Sequence, residues 1–238
     1  SSDVCSSDLG SGSGCHMPTI ISLHVPKSGG VSFREWLESA LGEGRIIWDY
    51  GDGVLDPAAE MNTDPAAFLA KHASGTELPA GYLAVHGHFW IEKYRSIQGA
   101  LRICFLRDPL QRTISHYFYW KTADPQEHQL HRRFLEEGWD ILQFAQVPEI
   151  KRFYQDFYFR NSAIGDFDFV GDMARYESEI ARLEKMTNLT GSLPVENRNT
   201  FDKYEQKVEE IFADAALVAT LRDLLAPEID FYQRHAGK

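Results

Sequence analysis

The densest chemistry in the chain lies in Ser22-Leu-His-Val-Pro-Lys-Ser-Gly-Gly-Val-Ser-Phe33, where an apolar run enters a glycine pair and then a helix-like segment. Two adjacent glycines, Gly29 and Gly30, let the backbone turn tightly and bring successive N–H groups to one point. A following helix aims its positive end at the same place. Lys27, Ser28 and Ser32 add donors, so the stretch reads as an anion cradle. A second cluster follows at Arg107-Asp-Pro-Leu-Gln-Arg-Thr-Ile-Ser115. Arg107 ends an apolar run, and Ser115 falls about two helical turns after Asp108, so a guanidinium and a hydroxyl can close on one phosphate. The third group is His86-Gly-His88. An imidazole titrates close enough to neutral pH to take a proton from an attacking hydroxyl.

Each cluster has a plainer reading. The glycine pair also suits a strand-to-helix turn with no ligand. Asp108 is better placed as the N-cap of a helix opening at Pro109 than as a catalytic acid. Arg112 reads as a solvated helix residue or an ion-pair partner and is left outside the site. His86 and His88 could be structural or bind a metal, yet no cysteine or carboxylate cluster nearby completes a tetrahedral set. Strand alternation points His86 to the face opposite the site, and His24 reads as packed at the base of the loop. Tyr158-Phe-Arg160 fits either an adenine-flanking pair or a partly buried helix face, and His131-Arg-Arg133 fits a solvated helix face better than an acceptor contact. An ATP-type loop requires G-x-x-x-x-G-K-[ST]. Here Lys27 precedes the glycines, so that spacing fails.

His24-Val-Pro-Lys-Ser-Gly-Gly-Val-Ser32 resembles the 5′-phosphosulfate loop of sulfotransferases that use PAPS (3′-phosphoadenosine 5′-phosphosulfate). The likeness is to the carbohydrate enzymes, Golgi-type and 2-O-sulfotransferase-like, whose loop reads roughly H-[IV]-P-K-[TS]-G-G-T-S. Arg107 to Tyr117 is similar to that family's 3′-phosphate motif, R-D-P-x-x-R-x-x-S-x-[YF], with every fixed position present. Tyr82-Leu-Ala-Val-His-Gly-His-Phe-Trp90 is similar to the H-G-H segment of some uronic acid 2-O-sulfotransferases, in which the second His is the base. Phe167 to Asp172 resembles the late F-V-G strand, and Pro194-Val-Glu-Asn-Arg198 resembles a late segment of the same family.

The resemblance implies a bacterial member that moves a sulfuryl group from PAPS to an acceptor hydroxyl, expected on a saccharide, with PAP as product and no metal required. It implies donor binding by Lys27, Ser28, Gly29, Gly30, Val31, Ser32, Arg107 and Ser115, with His88 as base and Lys27 acting on the bridging oxygen. Val31 departs from the family, which commonly has Thr there. The rival readings are a nucleotide kinase or phosphotransferase of the P-loop class, and a noncatalytic nucleotide-binding module.

The elements that must position these groups follow from pattern. Thr19–Val25 reads as a strand, and Ser32–Leu41 as a helix with Ser32 as N-cap and Glu35 completing a capping box. Residues 42–80, rich in Gly, Pro, Asp and Ala, read as a variable loop region with a short helix near Pro65–His72 that could wall the acceptor site. Strands are expected at 82–86 and 101–106, and helices at 109–122, 127–146 and Met173–Met186. A leucine stripe over Ala213–Arg234 adds a helix broken at Pro227. Strands alternating with helices predict a doubly wound α/β fold of P-loop type, with a mainly parallel sheet flanked by helices.

Composition bounds the rest. The chain has 238 residues, 43% of them hydrophobic and 13% aromatic, enough for one sizeable core. The net charge of −11 argues against nucleic acid as principal partner. Cys5, Cys15 and Cys104 give no disulfide framework, and no apolar stretch or leader pattern marks a membrane span or signal peptide. A cytoplasmic protein is therefore expected, with one catalytic domain over residues 17–238. The Ser-Ser-Asp repeat and Gly10-Ser-Gly-Ser-Gly14 make residues 1–16 a disordered tag, linker or assembly remnant.

Overall fold

The computed structural model describes residues 18–73, 75–126, 128–160, 164–193 and 201–238. The expectation for residues 1–16 and the segment Pro194 to Arg198 fall outside them.

Five short strands form the sheet: β1 (Ile20–Leu23), β2 (Ile46–Asp49), β3 (Ala84–Gly87), β4 (Leu101–Leu106) and β5 (Phe169–Asp172). Their order is β2-β3-β1-β4-β5, and every pairing is parallel. Strands buried on both faces need near-continuous apolar side chains, which Ile20-Ile-Ser-Leu23, with Ser22 paired to His86, and Ile103-Cys-Phe-Leu106 supply. The chain leaves β1 for β2 on one side, and the connection from β3 then crosses β1 to reach β4 on the other. The loop after β1 thus lies at the point where winding reverses, where open α/β sheets place their ligand crevice. The expected α/β doubly wound sheet, with a P-loop-type loop between its first strand and helix, is the observed fold.

The helices are α1 (Gly30–Leu41), α2 (Glu60–Thr63), α3 (Pro65–His72), α4 (Pro109–Thr122), α5 (Gln129–Glu137), α6 (Ile141–Gln146), α7 (Pro148–Lys151), α8 (Tyr176–Thr187), α9 (Tyr204–Ala213), α10 (Ala215–Leu224) and α11 (Ala226–His235). Phe33, Trp36 and Leu37 of α1 pack with Ile180 and Leu183 of α8 against Ile20, Ala84, Ile103 and Phe169 on one face of the sheet. Ile21, Leu23, Val85 and Cys104 face the other way. There they meet Ile91 and Tyr94 of a 3₁₀ turn, Phe153, Tyr154 and Tyr158 of a π-helical turn (Phe153–Tyr158), and Phe231 of α11. A third core joins Leu110, Ile114 and Phe118 of α4 to Phe134 of α5, Phe144 of α6 and Leu221 of α10. Beyond β5, Gly237 N donates to Val170 O at 2.9 Å and Val170 N to Lys238 O at 2.8 Å, so the end of the chain covers the sheet edge.

Several boundaries differ from expectation. Ser32 is not the N-cap of α1. Gly29 occupies that position in the left-handed region (φ 77°), which leaves Ser32 inside the first turn. β2 lies within the region read as loop. The single helix expected over 127–146 is two, because Gly138 ends α5 at φ 62° and Asp140 opens α6 with a capping box. α9 precedes the expected leucine-striped helices, and a 3₁₀ turn (Met173–Arg175) precedes α8.

Candidate functional site

The first candidate anion-binding segment, Lys27 to Ser32, follows β1 and opens α1. Lys27 and Gly29 both take left-handed backbone angles, φ 62° and 77°, and Ser28 N closes the turn on Val25 O at 3.2 Å. Left-handed geometry at a lysine is uncommon and marks a loop held by its surroundings. The N-terminus of α1 has no side-chain cap and no acidic residue in its first turn. By contrast, α3, α4, α6 and α10 are each capped by an aspartate: Asp64, Asp108, Asp140 and Asp214. The open amides of α1 therefore meet the first requirement of an anion cradle. Gly30 is required by packing, because a Cβ there would lie 1.8 Å from the His24 ring. Val31 is exposed and Ser28 buried.

The second segment leaves β4. The Asp108 side chain accepts from Gln111 N at 3.0 Å and Pro109 opens α4, which confirms the capping role. Arg107 Nη1 donates to Lys27 O at 3.2 Å, so the two candidate anion-binding segments meet across the adjacent ends of β1 and β4. Lys27 Nζ stands 4.4 Å from the centroid of the Tyr119 ring, one turn beyond Ser115 on α4. Burial, with Arg107 beside it, pushes the Lys27 ammonium down to about 8. Ser115 is buried on the same helix.

The third group is a cluster of imidazoles at the ends of β1 and β3. The His24 ring centroid is 5.2 Å from His86, stacked, and 4.6 Å from His88, while His24 Nδ1 lies 3.1 Å from the Tyr50 hydroxyl. His86 therefore does not turn away from the site as strand alternation suggested. It sits beneath His24 on the α1 face of the sheet, with Nδ1 2.8 Å from Ser22 Oγ. His88 lies just past β3, held by its N–H donating to Asp49 O at 2.8 Å, and its Nε2 is buried without a hydrogen-bond partner. Burial pushes His86 down to about 3 and His88 to about 4, so both are neutral near pH 7. Gly87 permits this approach, since a Cβ there would fall 1.7 Å from Asp49 O. Among the described residues no group of three or more His, Cys, Asp or Glu side chains could hold a metal ion.

Four residues not singled out as part of the site border it. Tyr50 and Tyr119 are exposed aromatics beside His24 and Lys27. Arg112 is fully buried rather than solvated, with its guanidinium 3.7 Å from the centroid of Phe153 and Nη2 donating to Ile150 O at 3.3 Å. Tyr154 reaches Arg107 through its hydroxyl. Only Arg112 carried a sequence signal, as the second arginine of the 107–117 motif. Tyr158 is buried and stacked on Phe153 at 4.8 Å, and Arg160, in the turn that follows, lies over the Trp90 ring. His131 is buried and stacks on Trp120, whereas Arg132 and Arg133 are exposed and Arg133 pairs with Glu137, so the two arginines lie on a solvated helix face.

No protein-family profile matches the chain. An uncharacterized protein of Archaeoglobus fulgidus is 29% identical over 112 residues, a stretch covering 46% of this chain and 86% of that protein. The crystal structure of mouse sulfotransferase SULT7A1 complexed with PAP aligns with 84% of this chain and 68% of its own, at a TM-score of 0.36 and 10% identity. Similarity at that level assigns no family.

Proposed function

We propose that the chain is a PAPS-dependent O-sulfotransferase acting on a saccharide hydroxyl. The observation that carries this reading is the meeting of two anion-binding segments, Lys27 to Ser32 and Arg107 to Ser115, through the bond from Arg107 Nη1 to Lys27 O. A nucleotide with phosphates at both 5′ and 3′ positions matches two such segments on neighbouring strands, whereas ATP has nothing for the second. The uncapped amides at the start of α1 and the partly buried ammonium of Lys27 fit a 5′-phosphosulfate.

When bound, PAPS supplies an activated sulfuryl group and a 3′-phosphate handle. In this reading Lys27 and the amides of Gly29, Gly30, Val31 and Ser32, with the Ser28 hydroxyl, hold the 5′ end. They meet the charge that grows on the bridging oxygen as its bond to sulfur breaks. Arg107 and Ser115 hold the 3′-phosphate and orient the donor. His88 is neutral and, where acceptor entry uncovers its buried Nε2, receives the acceptor hydroxyl proton there as the new S–O bond forms. None of these roles requires a metal ion.

Titration calorimetry with adenosine 3′,5′-bisphosphate, 5′-AMP and ATP, the last with and without Mg²⁺, tests the assignment. Tight binding of the bisphosphate alone is expected. Binding only of ATP with Mg²⁺ would make phosphoryl transfer the better reading. His88→Ala should bind the bisphosphate normally and lose turnover by roughly 10²–10⁴-fold in a PAPS-dependent assay of a saccharide panel. Bisphosphate binding without turnover on any acceptor, in the unmutated protein, would favour a noncatalytic module.

A further inference from the structure

Tyr154 is fully buried, yet its hydroxyl spends both hydrogen-bonding capacities on a single residue. It donates to Arg107 O at 2.6 Å and accepts from Arg107 N at 3.1 Å. Arg107 in turn donates to Lys27 O, and the buried Ser28 Oγ lies beside the same phenol without a hydrogen bond of good geometry. One phenol thus holds the backbone of the 3′ segment, whose guanidinium in turn reaches the 5′ segment at Lys27 O.

Tyr154 is itself fixed from three directions. Its N–H donates to the buried carboxylate of Glu228 on α11 at 2.6 Å. Its ring stacks on Phe231 with centroids 5.7 Å apart. Phe153, next in the π-helical turn, lies under the Arg112 guanidinium of α4. π-helical turns are rare and concentrate at functional sites, because the extra residue per turn re-aims a side chain at some cost in backbone packing. Tyr154 lies in this turn, and its buried hydroxyl is paired with Arg107, where an unpaired phenol would be expensive.

We propose that the Tyr154 hydroxyl is the positioning group that sets the separation of the two anion segments, and so makes the site selective for a nucleotide phosphorylated at both 5′ and 3′ positions. The proposal rests on the donor assignment above. Tyr154 touches no donor atom in this account. It acts through Arg107, whose backbone it pins at both polar atoms, so that the guanidinium leaves the strand end in one direction.

Tyr154→Phe keeps the ring and its stacking and removes only the hydroxyl. The preference for adenosine 3′,5′-bisphosphate over 5′-AMP, measured by calorimetry, is expected to fall on the order of tenfold, the factor equivalent to about 1.4 kcal/mol. The Kd for 5′-AMP itself should change by less than about twofold, since the amides of α1 remain in place. Phe231→Leu is the control: it removes the ring that Tyr154 stacks on and lowers the melting temperature, but leaves the nucleotide preference intact. Equal weakening of both nucleotides in Tyr154→Phe, an unchanged preference, or the same loss of preference in Phe231→Leu would overturn the proposal. The unmutated protein separates this from failure of the parent reading: if it does not prefer the bisphosphate to 5′-AMP, the donor assignment fails before any variant is made, and the selectivity role falls with it.

Discussion

Of the site's side chains with shifted pKa values, His88 and Lys27 divide the pH dependence between them. His88, pushed down to about 4 by burial, is neutral above that pH and protonated below it. As the proposed base it is active when neutral, so kcat/KM should lose its acid side only as pH falls toward 4. Lys27, at about 8 through burial and the charge of Arg107, is cationic below that pH and neutral above it. Anion affinity should therefore weaken as pH rises through about 8, and Lys27→Met should flatten that dependence. Calorimetric titration with adenosine 3′,5′-bisphosphate across roughly pH 6 to 10 reads the second effect directly. A constant Kd over that span would take the Lys27 ammonium out of anion binding.

At the scale of elements, the approach of β2 to β3 is the contact on which the imidazole cluster depends. Gly87→Ala places a Cβ against Asp49 O, a backbone atom that cannot swing aside. It should destabilise the protein by about 1–3 kcal/mol in urea denaturation. A loss under about 0.5 kcal/mol would mean that the strand ends yield more easily than close packing allows. The elements differ in how plainly the sequence marks them. α4 is legible to the residue because Asp108-Pro109 combines a cap with a pre-set first turn, and Asp64-Pro65 marks α3 in the same way. β2 is only Ile46-Ile-Trp-Asp49 between glycine-rich segments, too short for a periodicity to show. Ser32 with Glu35 has the spacing of a capping box, but Gly29 reaches the left-handed region and starts the helix earlier. The glycine loop, Arg107 and the histidine pair were each visible as local motifs. Tyr154 was not, because its partner Arg107 is distant in sequence and its bonds are to backbone atoms, which no residue type announces.

At the scale of the molecule, the edge of β5 is covered by the end of the chain itself. Removing Gly237 and Lys238 takes away two backbone hydrogen bonds and the acceptor for Arg182 Nη2 at 3.0 Å. A fall of about 4–8 °C in melting temperature is expected from losses of that size. Sedimentation should also show concentration-dependent association through the bared edge. An unchanged melting temperature with no association would show that the pairing contributes nothing. The strand order has a consequence for how the protein comes into being. β1 is made first and ends in the middle of the sheet, but its partners β3 and β4 are translated only after long intervening segments. Until both emerge, Ile20-Ile-Ser-Leu23 has neither neighbour, and the lysine loop hangs from an unpaired apolar strand. The central strand therefore gains both of its pairings only through contacts distant in sequence, which makes this topology slower to form than one built from local contacts.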